Sequence, residues 1–186
     1  MRITGGELKG RKVKSPQGRF LRPTSERVRK AIFDLLTPYE IKGKVLDLFA
    51  GSGTLGFEAL SRGAEEVVFV EKDKGVADLI KENLKLLGLE GKAKVLNMEA
   101  KKSLRVLAEK GFIFDLILMD PPYKDYAKIH IILDEIKNKK LLIPQGLVIL
   151  EHSSREMPLE ASGWKLISNR RYGDTAISIF ILADEE

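Results

Sequence analysis

Between residues 44 and 151 the chain alternates short apolar runs with amphipathic stretches, and that alternation leaves few architectures open. The apolar runs are VLDLF (45–49), VVFVE (67–71), AKVLN (93–97), DLILMD (115–120) and LVILE (147–151). Helical patterns lie between them, at about 54–62, 75–87, 100–110 and 126–138. A strand that is apolar along nearly its whole length must be covered on both faces. Strands separated by helices satisfy this by pairing in parallel through right-handed crossovers. The predicted core is therefore an α/β, doubly wound, Rossmann-like sheet. The end of the chain departs from the pattern. WKLISNRRYG (164–173) and TAISIFIL (175–182) are separated by little more than Gly173 and Asp174, too little for a crossover, so an antiparallel pair is expected there.

Ahead of the alternating region, residues 2–14 mix short extended runs with Gly5, Gly6 and Gly10, which predicts a small hairpin or an extended arm. Arg22-Pro23-Thr24 reads as a turn into a helix. Val28, Ala31, Ile32, Leu35 and Leu36 would form its apolar stripe, with Thr24 as N-cap, Arg27 and Lys30 near the polar side and Pro38 as the stop. Charge is unevenly spread. Residues 1–30 hold ten Lys or Arg against Glu7 and Glu26, a local +8, and since the whole chain carries +5 the remainder sums to −3. A basic segment on a mildly acidic body suits a polyanion, because Lys and Arg gain affinity by releasing the counterions condensed on phosphates. The competing reading is a basic surface facing water. With 186 residues the chain suits one domain and is too short for two. Within it, 1–23 is the basic arm or hairpin and 24–186 the helix plus core.

The chain has no Cys, which excludes a disulfide framework, a Cys-ligated zinc site and catalysis through a thiolate. Two isolated His without Cys make no metal site. The longest apolar stretch, AISIFILA at 176–183, is far shorter than the ~18 residues of a membrane helix. The first twenty residues hold no signal-like apolar run. The expectation is a monomeric, cytoplasmic protein with no membrane partner.

The first apolar run leads into Asp47-Leu-Phe-Ala-Gly51-Ser-Gly53-Thr-Leu-Gly56, with glycines at a strand-to-helix turn where a ligand can approach the backbone. Glu71 ends the second run, where a carboxylate can accept from both hydroxyls of an adenosine ribose. Nicotinamide cofactors and S-adenosylmethionine both fit these features. Asp47 favours the second, since its methionyl amine and sulfonium are cationic, whereas a pyrophosphate beside a carboxylate would be repelled.

At the end of the fourth run stands Asp120-Pro121-Pro122-Tyr123. Prolines can merely terminate a strand, but this edge of a parallel sheet is where ligands bind. Backbone carbonyls fixed by the prolines, together with the Asp120 carboxylate, offer acceptors for both hydrogens of an amine. A conjugated exocyclic amine is a poor nucleophile, so orienting its lone pair is the main contribution such a site can make. Tyr123 supplies a ring face on which an unstacked base can rest. Asp at position 120 hints at guanine, whose pairing edge carries two adjacent donors for one carboxylate.

With these motifs the sequence resembles the bacterial methyltransferases that modify the N2 amine of one guanine in small-subunit ribosomal RNA. The likeness runs through RITGGELKGRKV, LRPTSERVRKAIFDLL, VLDLFAGSGTLGFEALSRGA, DLILMDPPY and RRYGDTAISIF, nearly the whole chain. The resemblance implies a seven-stranded sheet with an antiparallel last strand, S-adenosylmethionine as cofactor and S-adenosylhomocysteine as product. It implies cofactor contacts from Asp47, Phe49, Ala50, Gly51, Ser52, Gly53, Thr54, Glu71, Lys72, Glu99 and Asp120, and catalysis at Asp120 to Tyr123. Glu99 stands where relatives have Asn or Asp as acceptor for the adenine amine. The partner would be small-subunit ribosomal RNA, free or in an assembling subunit, met by Arg2, Lys9, Arg11, Arg22, Thr24 and Arg27. His152, at the end of the fifth run, is a further candidate for substrate contact, and Trp164 is expected to pack the terminal hairpin. Methylation of DNA adenine, methylation of a protein glutamine amide and a catalytically inert RNA-binding factor are the rival functions.

Overall fold

The computed structural model describes residues 1–18 and 24–184. Residues 2–13 form a small hairpin closed by an antiparallel bridge between Arg2 and Lys12, with Ile3 N–H donating to the Arg11 carbonyl and Val13 N–H to that of Met1. Of the two expectations for this segment, the hairpin is the one found. Helix α1 (Glu26–Leu36) follows, then β1 (Lys44–Asp47), α2 (Thr54–Ser61), β2 (Glu66–Val70), α3 (Lys74–Leu86), β3 (Ala93–Leu96) and α4 (Ala100–Glu109). The chain continues through β4 (Phe114–Met119), α5 (Ile129–Asn138), β5 (Leu142–Ser153), β6 (Trp164–Tyr172) and β7 (Thr175–Leu182).

The strands form one seven-stranded sheet in the order β3-β2-β1-β4-β5-β7-β6. Neighbours from β3 to β5 pair in parallel, while β7 runs antiparallel to both β5 and β6. Alternate side chains of each strand enter two cores. Val45, Phe69, Leu116 and Ile149 pack with Ile32, Leu55, Phe57 and Ile80 under α1, α2 and α3, whereas Leu46, Val68, Ile117 and Val148 pack with Leu104, Leu107, Leu133 and Ile136 under α4 and α5. This two-sided cover is why the strands are apolar throughout. The chain order reverses between β1 and β4, so their carboxyl ends diverge into a crevice at the switch point. Among the described residues no helix is long and apolar enough to cross a membrane.

Three boundaries differ from the sequence expectation. The strand predicted over 147–151 runs from 142 to 153, because Phe114 pairs with Leu142 and then Leu116 with Leu147, so Pro144 falls in an irregularity that needs no ladder donor. The helix predicted from 126 is a 3-10 turn over Tyr123–Lys128 before α5 begins at Ile129. Thr24 is not the N-cap of α1. Ser25 is, its hydroxyl accepting the Val28 N–H at 3.2 Å.

The hairpin is fastened to the body beneath it. Ile3 and Val13 are buried in the core, Leu8 N–H donates to Ser61 Oγ, and Lys14 exchanges backbone hydrogen bonds with the Asn83 amide. At its centre lies an ion cluster. The Glu58 carboxylate accepts from Arg29 Nε at 2.9 Å and Arg62 Nε at 3.1 Å, and from the Thr4 N–H. Arg29, fully buried, also donates through Nη2 to the Arg2 carbonyl at 2.6 Å.

Candidate active site

At the carboxyl edge of β1, β2, β4 and β5 opens a cleft of about 1090 Å³. Each of these strands delivers an acid within two residues of its end: Asp47, Glu71, Asp120 and Glu151. The register makes two of them neighbours, since Met119 pairs with Leu150 and the next residue on each strand is Asp120 or Glu151.

The glycine loop is shaped by three different needs. Gly51 has φ of 54° and a Cβ there would meet nothing within 4 Å, so its backbone faces open space. Gly53, at φ 81°, caps α2, and its N–H turns back to the Ala50 carbonyl at 2.7 Å. At Gly56 a Cβ would come within 2.2 Å of the Phe69 ring, which sets the close approach of α2 to β2. Asp47, only 1% exposed, accepts the Gly56 N–H through Oδ2 at 3.0 Å. Burial, with a smaller push from Glu71, raises its pKa to about 7 against the pull of the Gly56 N–H. Glu71 is aimed by two backbone donors, Gly51 N–H at 2.8 Å on Oε2 and Asp73 N–H at 2.9 Å on Oε1. Asn97 secures the carbonyls of Glu71 and Lys72, each at 2.9 Å.

Across the crevice, Asp120 is pushed well above the usual carboxylate range, chiefly by burial and next by the Glu151 charge, with a further contribution from Asp47. Thr24 opposes this. Its hydroxyl lies 3.1 Å from Asp120 Oδ2 and 2.8 Å from Glu151 Oε2. Pro122 is extended, at φ −54° and ψ 142°, and its carbonyl accepts the Asp125 N–H at 2.9 Å. Tyr123 stands at the rim, 55% exposed.

All four predicted catalytic residues line the cleft, and so do the predicted cofactor residues except Gly53, which stands at the N-cap of α2. Glu99 is exposed at the N-terminus of α4, with no capping bond from its side chain. Of the residues assigned to RNA, Arg2, Lys9, Arg11 and Arg27 are exposed, and Arg22 lies outside the described residues. Thr24 departs from that set, being buried against Asp120 and Glu151 rather than on the basic surface. His152, the further candidate for substrate contact, is not among the residues that line the cleft. It is buried, with Nε2 at 2.8 Å from Ser178 Oγ and Nδ1 at 2.9 Å from the Ser153 carbonyl, and burial holds its pKa below the ordinary imidazole value. Trp164 packs as expected, donating Nε1–H to the Leu133 carbonyl at 3.2 Å. Sequence reasoning missed Glu151, although an acid closing an apolar run was the signal already read at Glu71 and Asp120.

A cleft rimmed by an aromatic ring and floored by acids suits a cationic ligand and an amine donor better than a phosphate chain. Among the described residues no group of three His, Cys, Asp or Glu could hold a metal ion. Comparison with known proteins is consistent with this chemistry. A sequence profile of the family described as "Conserved hypothetical protein 95" matches residues 1–181. The protein named "Putative rRNA methyltransferase YlbH" from Bacillus subtilis (strain 168) is 39% identical over 182 residues, covering 97% of this chain and 98% of that one. "Ribosomal RNA small subunit methyltransferase D" of Escherichia coli (strain K12) is 33% identical over 181 residues, covering 97% of this chain and 89% of that one. Among solved structures, "Putative methyltransferase yhhF from Escherichia coli" superposes with a TM-score of 0.85 at 31% identity, covering 98% of this chain and 97% of that one.

Proposed function

The chain belongs to the family described as conserved hypothetical protein 95, and from that premise we propose that it methylates small-subunit ribosomal RNA, at the N2 amine of a guanine, with S-adenosylmethionine as methyl donor. The observation that carries this reading is the meeting of two buried acids, Asp47 and Asp120, beside an open glycine loop, a floor whose negative charge a cationic ligand would relieve. The sulfonium supplies an electrophilic methyl group. Asp47 and the loop from Phe49 to Thr54 would hold the methionyl part, Glu71 and Lys72 the ribose side, and Glu99 the adenine amine. Each Glu71 oxygen has one backbone donor and retains a second lone pair for a ribose hydroxyl.

Asp120 is the acceptor for the target amine. Because the Pro122 carbonyl is engaged by Asp125, the Pro121 carbonyl is assigned as the second acceptor. Two acceptors on one nitrogen remove it from conjugation with its ring and point its lone pair along one direction. The exposed Tyr123 ring offers a stacking face for the base, and the exposed Arg2, Lys9, Arg11 and Arg27 offer charge for phosphates.

The deciding experiment incubates the purified protein and labelled cofactor with small ribosomal subunits, and separately with naked RNA, from a strain lacking the enzyme. One labelled guanine, mapped as its N2-methyl form, is the expected result. Label on another base would refute the guanine assignment, and no label on either substrate would refute the reading itself.

A further inference from the structure

Thr24 belongs to neither the basic surface nor the helix cap, and its hydroxyl needs another explanation. Ser25 caps α1, which leaves Thr24 one residue outside the helix with its side chain buried. Its backbone is held from beneath: Arg29 Nη1 lies 3.5 Å from the Thr24 carbonyl, while the same guanidinium binds Glu58 and the Arg2 carbonyl. A β-branched side chain on an anchored backbone has few rotamers, so the direction of the hydroxyl is well defined. That direction is toward Asp120 Oδ2 and Glu151 Oε2.

We propose that Thr24 is a positioning residue for the methyl-transfer step, its hydroxyl fixing the Asp120 carboxylate against Glu151 in the orientation that receives the target amine. The proposal rests on the function assigned above. Asp120 faces Asp47 from β1, Glu151 from β5 and Thr24 from ahead of α1. Without the hydroxyl, Asp120 loses the donor that opposes its protonation, and its burial, with the Glu151 charge beside it, favours the uptake of a proton. A protonated carboxyl presents O–H where the amine requires an acceptor. The Thr24 hydroxyl has one proton to share between Asp120 and Glu151, and whenever it donates to Asp120 it favours the ionised form and works against that protonation. Its contact is with Oδ2, so Oδ1 remains available to the amine.

The test compares wild type with Thr24→Val, which keeps the shape and removes the hydroxyl, and Thr24→Ser, which keeps the hydroxyl. Methyl transfer to small-subunit RNA is followed from pH 6 to 9, with cofactor affinity measured by calorimetry. Thr24→Val should lower kcat roughly ten- to hundredfold, the range expected for losing a hydrogen bond to a charged group. KM for cofactor should change by less than about threefold, and the acid limb of the pH–rate profile should move to higher pH. Thr24→Ser should recover most of the rate and the original limb. If the Val variant does not fold, Thr24→Ala makes the same comparison. Wild-type kcat and profile in Thr24→Val would overturn the assignment, as would a rate loss with an unmoved limb that Ser fails to rescue, since packing alone would explain it. A wild-type protein that methylates no ribosomal RNA would instead bring down the functional reading, and this assignment with it.

Discussion

Glu58 and Asp47 are both completely buried carboxylates, yet one is surrounded by cations and the other by acids. Glu58 receives two guanidiniums and a backbone N–H, so its charge is matched where it lies and the cluster ties the hairpin, α1 and α2 together. Asp47 receives the neutral Gly56 N–H and faces Glu71, while Asp120 receives the neutral Thr24 hydroxyl and faces Glu151. Matched burial is how a scaffold tolerates charge. Unmatched burial costs stability and persists where a ligand will supply the missing charge. The distinction predicts opposite responses to removing a charge in the two places.

The largest effect should come from the matched cluster. Arg29→Ala strips a partner from a buried carboxylate and should cost about 3–5 kcal/mol, a large part of the stability of a single domain. Urea denaturation measures this directly. A loss below about 1 kcal/mol would mean that water or rearrangement compensates Glu58, and the contrast with the cleft would weaken.

Removing charge in the cleft should do the reverse. Asp47 is raised from 3.8 to about 7, so between those values the folded protein holds a proton that the unfolded chain has released, and stability falls as pH rises through that window. Above pH 7 the loss is complete, at most ~4 kcal/mol for a shift of this size. Asp47→Asn, which has no such titration, should therefore gain on wild type as pH goes from 4 to 7 and hold that gain above. Its affinity for the cationic cofactor should fall. In wild type, the same linkage means that binding below pH 7 releases a proton. Denaturation curves from pH 4 to 8 and calorimetry in buffers of different ionisation heat test both statements, and a pH-independent difference would remove Asp47 as the titrating group.

Asp120→Ala sharpens the comparison from the side of chemistry. Its acceptors serve the target amine, so turnover should drop at least about a hundredfold, the scale for losing one preorganised group in a water-excluded site. Cofactor affinity should stay near wild type and stability should not decrease. A parallel loss of cofactor binding would move Asp120 from the amine to the cofactor.

These contrasts explain which parts of the molecule could be read in the chain. Apolar runs with helical spacers specify a two-sided parallel sheet because few other packings bury such strands, and the short Gly173-Asp174 link leaves only an antiparallel ending. Asp47 was legible from its place ahead of the glycine loop, Glu71 and Asp120 because each closes an apolar run, and Glu151 carried that second mark. The Arg29–Glu58 pair was not legible, since its members are 29 residues apart and no local spacing joins them. Thr24 was misread for a related reason. Local rules permit either Thr24 or Ser25 to cap α1, and the choice is made by carboxylates 96 and 127 residues away.

The smallest effect is expected at the basic surface, where charge is exposed and screened. Arg11 and Arg27 lie in water, and replacing them together with Arg22 by Ala should leave cofactor affinity unchanged, since none of the acids that line the cleft is altered. RNA affinity should fall to a similar extent for different sequences, because contacts to phosphates orient a substrate without reading its bases. Each lost contact should flatten the salt dependence of binding by ~0.7–0.9 in log–log slope. The Arg11 contribution also bears on geometry. The hairpin is tied to Ser61 at the end of α2 that points away from the cleft, whereas Arg27 sits in the first turn of α1, three residues from Thr24. Arg27→Ala alone should therefore reduce methylation more than Arg11→Ala at equal RNA occupancy, since it holds phosphates closer to the reacting base. Salt titrations of the single and triple variants, run beside a cofactor titration, measure all three quantities. Equal slopes in wild type and triple variant would reduce the basic segment to a solvated surface, and equal methylation by the two single variants would mean that the hairpin and the helix grip the RNA at comparable distances from the site.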